Sequence, residues 1–383
     1  MSTSTTCKYT LTDGNGTSNE ATITVEVTPP EPSEASELVF HQHSAQHQPI
    51  ASGASIAGES HAETQALRAV MDKGWTYNRG GPWGVQSWIS KSEWTSRTIT
   101  WAPQNETNQA MAVNYPLTMK LPPPRTGSSI TDWQPDNLPV KYPAGWTLGK
   151  SIDGVVCIFD DSTKMWRLFR QVVWQPFQSN VTANQTFVHS ATGLGHPASP
   201  SAGRAGSSAS GVFNVFGLLK GHHINQPGRA IPHGLQCIMS ARAAPYALGR
   251  TFVPPAISTD GAANQPGRNL GPIPYGRRLT LPHGTVFTNT SFQVPGGPIV
   301  TLNEPTLRVA MAIFIYGLFP IDMDHPGIAI RTDQWVSATV ISQLLAHSGR
   351  IFPYLVPCLE VWQPSQIQCG PGTPRGPNLG YAA

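Results

Sequence analysis

Residues 7–27, CKYTLTDGNGTSNEATITVEV, alternate apolar and polar positions on both sides of an Asp-Gly-Asn-Gly turn, the pattern of two half-buried strands joined by residues that accept positive φ. Residues 153–174, DGVVCIFDDSTKMWRLFRQVVW, predict an antiparallel hairpin of strands 154–159 and 165–174 around a polar turn, with Cys157 inward. Further short β-type runs lie at 212–219, 235–241, 249–253 and 276–281, separated by Pro and Gly. The period becomes helical at three places. Over 61–73, Leu67, Val70 and Met71 form one apolar face, with Ser60 as N-cap, Glu63 as its capping-box partner and Gly74 as terminator. The run LRVAMAIFIY predicts a buried helix over 305–316. A third helix, 332–347, places Val336, Val340 and Leu344 beside Ile341 and Leu345, with Gly349 after it. The expected fold is therefore mainly β, a sheet-rich sandwich or jelly-roll-like body with two or three packed α-helices. It divides into a hairpin (1–28), a Pro-rich, His-containing linker (29–58), a main β-rich domain (59–360) and an irregular tail (361–383) that should lie over the surface as coil.

Composition narrows the class. Of 383 residues only 12% are charged and 39% are hydrophobic, too little charge for a coiled coil and too much apolar content for a disordered chain. The 36 Gly and 36 Pro are dispersed without a three-residue period, which excludes collagen, and no repeat of 20 to 50 residues points to a propeller or solenoid. A formal charge of +3 is too balanced to steer the chain onto nucleic acid. No run reaches about 18 apolar residues, so no membrane span is expected. The start MSTSTTCKYT lacks a basic region followed by an apolar stretch; export then implies a removed signal or another route, such as a virion.

The five cysteines, Cys7, Cys157, Cys237, Cys358 and Cys369, have no metal-type spacing. A disulfide between Cys358 and Cys369 and buried thiols at Cys157 and Cys237 are the readings they allow. Five glycosylation-type sequons (Asn15, Asn105, Asn180, Asn184, Asn289) read mostly as incidental. His41, His43 and His47 raise the question of metal, but their flanks carry no acidic or Cys ligand, so a solvated segment and no bound metal or cofactor are expected. Nine of the 11 Trp fall between Trp75 and Trp174. Such rings fill β cores or stand open as platforms for sugar rings, with Trp83 and Trp88 as candidate substrate-binding residues.

Two resemblances add to this reading. Residues 7–27 resemble the closing hairpin of a cadherin-like or immunoglobulin-like extracellular module, Y-x-x-x-D-G-x-G followed by T-x-T-V-x-V, which implies a module remnant whose other strands come from elsewhere. The ordered segments GGPWGVQSW, DGVVCIFDDSTKMWRLF, GRAIPHGLQCIMS, FVPPAISTDG, IPYGRRLTL and VAMAIFIYGLFPIDMD, spanning roughly residues 80–325, resemble the motifs of a family of secreted bacterial proteins with no established activity. The resemblance implies His233, Asp260, Arg277 with Arg278 as its neighbouring alternative, and Asp322 as site residues. It departs at Val155, where the family has His.

Chemistry then turns on carboxylates and one imidazole. Glycosidic hydrolysis needs two carboxyl groups, and Asp153, Asp160, Asp161, Asp260, Asp322 and Asp324 are available. A lyase or acid–base mechanism would recruit His233. No nucleophile elbow and no phosphate loop is present. The expectation is an extracellular or virion-associated protein that binds, and in the catalytic reading cleaves, polysaccharide with His233, Asp260 and Asp322, binding it through Trp83, Trp88, Arg277 and Arg278. The alternative is a non-catalytic structural or adhesive module of a surface, filament or virion, with homo-oligomer formation compatible with either. His233, Asp260 and one of Arg277 or Arg278 should approach one another, with Asp322 at the same end of the fold, either as a buried hydrogen-bonded network or as a ligand site.

Overall fold

A computed structural model describes in full residues 45–77, 210, 212, 215–240, 243, 252–256, 271–323 and 327–361, together with the backbone of strands elsewhere. The chain forms two compact units, Met1–Val39 and Phe40–Ala383. In the first, β1 (Thr3–Tyr9) and β2 (Ala21–Val27) pair antiparallel from Thr3 opposite Val27 to Tyr9 opposite Ala21.

In the second unit, β3 (Trp75–Arg79) is followed by a four-stranded sheet of β4 (Val85–Ile89), β5 (Val155–Asp160), β6 (Met165–Gln171) and β7 (Thr182–Val188), ordered β7-β6-β5-β4. Within it β5 and β6 form the hairpin predicted from alternation, Asp160 opposite Met165; the side chain of Cys157 lies outside the described residues. A six-stranded sheet carries the core. It comprises β3, β8 (Leu235–Met239), β9 (Arg278–Thr280), β13 (Leu318–Met323), β14 (Ile328–Thr332) and β15 (Val356–Cys358), ordered β15-β9-β13-β8-β14-β3. The strands between, β10 (Val286–Phe287), β11 (Ser291–Gln293) and β12 (Ile299–Thr301), make a small sheet joined by β16 (Asn378–Leu379). The tail expected as coil thus contributes a strand, because β10 offers an open edge that β16 pairs in parallel.

The central sheet is mixed: β8 runs parallel to β13 and antiparallel to β14, and β14 runs parallel to β3. Both β8 and β14 are buried at every position, as expected of strands covered on both faces. Leu235, Cys237, Met239, Leu318, Ile321, Ile328 and Ile330 belong to one apolar cluster with Val309, Ala310, Ile313 and Leu344 of the helices. The fold is therefore a sheet-rich body with a few packed helices.

The helices are α1 (Ala62–Arg68), α2 (Gly221–Ile224), α3 (Glu304–Ile315) and α4 (Ala338–Ser348). The expected buried helix is α3, capped by Asn303, whose side chain accepts from Thr306 N. α1 departs from expectation at both ends: it stops at Arg68, and Gly74 instead closes a separate 3-10 turn, Met71–Lys73. His61 is the cap, and Glu63, freed from a capping box, forms an ion pair with Arg277. The helical reading of 332–347 began too early. Thr332 ends β14, Asp333 and Trp335 form a turn, and Ser337 caps α4 by accepting from Val340 N. Of the strand expected over 212–219, the described residues 215–217 form a turn with Gly217 at φ 63°, and only Leu219 bridges, to Thr332. A side chain at Gly217 would meet Gly234 O at 2.8 Å, so a close crossing has displaced the strand.

Candidate functional site

The region read as a solvated linker begins the site. Ala45–His47 form a 3-10 turn, and Ala45, Gln46, Gln48, Ile50, Ala51, Ala54 and Ala57 are buried in the second unit. A turn this polar can be buried only if its backbone groups find partners. Arg278, 2% exposed, donates Nη2 to Ala45 O at 2.8 Å and Nη1 to Gln48 O at 2.6 Å, while its guanidinium lies 5.1 Å from the centre of the Phe319 ring. Gly234 N donates to Gln46 O at 2.7 Å, and Gln46 Oε1 accepts from Gly217 N.

Four histidines gather beside this turn. His47 and His233 stand edge-on with ring centres 6.0 Å apart, His223 and His233 are 5.1 Å apart, and His222 and His223 are 4.0 Å apart. The bonding partners set the tautomers. A carbonyl can only accept, so His233 Nδ1 donates to Gly234 O (2.8 Å) and its Nε2 accepts from His223 Nδ1 (3.3 Å). By the same logic His47 Nδ1 donates to Pro232 O (3.3 Å) and its Nε2 accepts from Gln46 Nε2 (3.1 Å). Burial, with the neighbouring imidazoles and Lys220, holds His223 and His233 far below the ordinary histidine range. Among the described residues no three of His, Cys, Asp or Glu are arranged to hold a metal ion. His233 is thus a neutral, doubly bonded tie, and its Nε2 lone pair is occupied by His223.

The other predicted residues separate. Arg277 turns to α1, bonding both oxygens of Glu63 at 3.0 Å and the carbonyls of Cys358 and Leu359 at 3.4 and 3.2 Å. Asp322 lies on β13 opposite Ile238, whereas His233 precedes Leu235, which pairs with Leu318. The two therefore lie at different ends of the β8/β13 pair: Leu235, the strand residue nearest His233, is already about 10 Å, at roughly 3.3 Å per residue, from Ile238 opposite Asp322. The expectation that Asp322 shares an end with His233 is corrected on that register. Asp322 instead accepts from Arg331 Nη2 at 2.9 Å. Arg331 is 3% exposed, and its Nε and Nη1 have no hydrogen-bond partner. Asp260 and Trp83 lie outside the described residues; Trp88 is placed on β4 by its backbone alone. Cys237 is a free, buried thiol, its pKa raised by burial. Cys358 is buried, and Cys369 lies outside the described residues.

Three further polar groups escaped the sequence reading. Arg308 donates Nη1 to the carbonyls of His223, Gln226 and Arg229 and Nη2 to that of Ile224, all at 2.8 Å, locking α2 to α3. Its spacing from Glu304, with which it pairs at 2.8 Å, was the available signal. Asp333 accepts from Gly221 N (2.9 Å) and Trp335 N (3.0 Å), and burial raises its pKa to about 6. Gln46 carried no signal, being one glutamine in a polar run.

With this geometry in hand, known proteins offer no guide. No protein-family model, curated protein or solved structure matches the chain. Among the described residues, no helix is long and apolar enough to cross a membrane.

Proposed function

We propose that this protein is an extracellular or virion-associated polysaccharide-binding module that holds its ligand without cleaving it. The single observation carrying the non-catalytic half is the state of His233: both ring nitrogens are bonded, the ring is 2% exposed, and burial keeps it neutral. A general base needs a lone pair within reach of a substrate proton, and this one is spent on His223. Arg277 and Arg278 support the same reading, since their donors serve Glu63 and backbone carbonyls.

The binding half rests on the low charge and the abundance of Trp. The immunoglobulin- or cadherin-like reading of the N-terminal hairpin, the sandwich or jelly-roll reading of the body and the likeness to a secreted bacterial family belong to the same proposal. The test is a glycan array followed by incubation of each bound polysaccharide with the protein. Binding without new reducing ends or unsaturated products is expected. Release of either product, abolished by Asp260→Asn or Asp322→Asn, overturns the non-catalytic reading.

A further inference from the structure

We propose that the histidine cluster is an acid-sensitive latch: at neutral pH it holds the turn of residues 45–48 against the body, and acid undocks that turn while the six-stranded sheet stays folded. The inference is independent of the polysaccharide-binding reading. It rests on how three elements meet at the cluster, namely the turn with His47, α2 with His222 and His223, and the loop 232–234 with His233.

The cluster works only with neutral rings. His233 Nε2 accepts from His223 Nδ1, and His47 Nε2 accepts from Gln46 Nε2. Protonation places a hydrogen on an accepting nitrogen and abolishes its bond. The surroundings add no compensation. Lys220 and Arg229 act on His223 as further positive charges, Arg308 donates to the carbonyls of α2, and Arg278 donates to those of the turn. The carboxylates carried by these elements, among the described residues, are engaged: Asp333 accepts from Gly221 N and Trp335 N, and Glu304 pairs with Arg308. Burial and these like charges keep His223 and His233 unprotonated while the turn is docked.

The way each element is anchored decides which one yields. The ties of α2 run to α3 through Arg308 and to the end of β14 through Asp333, away from the rings. His233 stands directly ahead of β8, which lies between β13 and β14 in the central sheet. The turn is instead tied largely to the histidine loop itself: Gly234 N donates to Gln46 O at 2.7 Å, His47 Nδ1 donates to Pro232 O at 3.3 Å, and the His47 ring stands edge-on to His233. A charge arising on His233 therefore strains the ties of the turn first. Local opening of one such element, below the free energy of global unfolding, lets water reach the rings and lets them titrate at the ordinary histidine value of about 6.5. Since the docked rings resist protonation, undocking is favoured as pH falls below that value. Between pH 7.5 and 5.0 each such ring multiplies the open population about 30-fold, and the His223/His233 pair about a thousandfold.

The test is amide hydrogen exchange of the full chain at single-residue resolution from pH 7.5 to 5.0, with each rate divided by the intrinsic rate at that pH. The reporters are Gly234 N and Gly217 N, which donate to Gln46, and Gln48 N, which donates to Ala45 O. Their opening is expected to rise about a thousandfold as the pH is lowered, while Cys237 and Met239 in β8 stay more protected at every pH. Reporter exchange that does not change with pH overturns the latch. Reporters and β8 exchanging equally at every pH show global unfolding alone and also overturn it. His233→Asn keeps a donor and an acceptor without a titrating ring, and should cut the rise to about 30-fold. If that variant loses the native circular dichroism spectrum, His223→Asn is read in its place. An undiminished rise in the variant read overturns the assignment to this pair, and if neither variant folds the two outcomes for the unaltered chain decide.

Discussion

Arg277 and Arg278 are adjacent in the chain and do unrelated work. Arg277 closes a bidentate pair with Glu63 at side-chain exposures of 12% and 9%, whereas Arg278 satisfies the carbonyls of a buried turn. Arg278→Met should destabilise the fold by about 1 to 3 kcal/mol for each carbonyl it orphans, read as a lowered urea midpoint. Glu63→Ala should cost about 3 to 5 kcal/mol because it strands a mostly buried guanidinium, and adding Arg277→Met should recover much of that loss. A double-mutant cycle measures the coupling, and additive losses would contradict it. The motif GRR singled out both residues without saying which would face α1 and which the turn. Alternation along a strand tells neighbours apart only once the partners of each face are known.

At the scale of elements, the Ala45–His47 turn and the one-turn helix α2 meet through histidines whose hydrogen bonds require neutral rings. An unfolded chain protonates His223 and His233 below pH about 6.5, while the folded chain, with both held far lower by burial, does not. Stability present at neutral pH is therefore lost progressively as pH falls below that value toward the depressed folded-state range. Asp333 opposes this. Between its ordinary 3.8 and about 6 the folded state keeps a proton that the unfolded chain releases, which favours the fold in acid and is lost as pH rises. Two histidines outweigh one carboxylate, and each uncompensated proton is worth about 1.4 kcal/mol per pH unit. Urea midpoints should hold from pH 7.5 to about 6.5 and fall from there to pH 5.0, and a flat profile across the whole range would refute the neutral-cluster assignment. None of this clustering was visible along the chain, where His47 stands in a polar run far from His222, His223 and His233. By contrast α3 was legible almost to the residue, because its apolar run and its Asn303 cap are local features.

At the scale of the whole molecule, the stretch 45–57 belongs to the second unit. Ala45, Ile50, Ala51, Ala54 and Ala57 are buried, Ile50 N donates to Ile315 O at 2.7 Å, and Ile56 bridges to Cys358. A chain starting at Phe40 is expected to unfold in one cooperative transition. One starting at Gly58 should lose cooperativity or several kcal/mol of stability, since it exposes these side chains and strips Arg278 of its carbonyls. Equal unfolding curves for the two chains would return 45–57 to the status of linker.

What could be read along the chain is what repeats over a few residues. The β5/β6 hairpin, α3, and the lack of a long apolar helix among the described residues all follow from periodicity and turn chemistry. The fate of the polar residues depended instead on partners far away in sequence. Arg278 bonds Gln48 across 230 residues, Arg277 reaches Glu63 across 214, and Gln46 meets Gly217 across 171. A buried charge or turn must be satisfied wherever the packed chain brings it a partner. Composition says that such groups exist, and only the assembled fold says where each finds its partner.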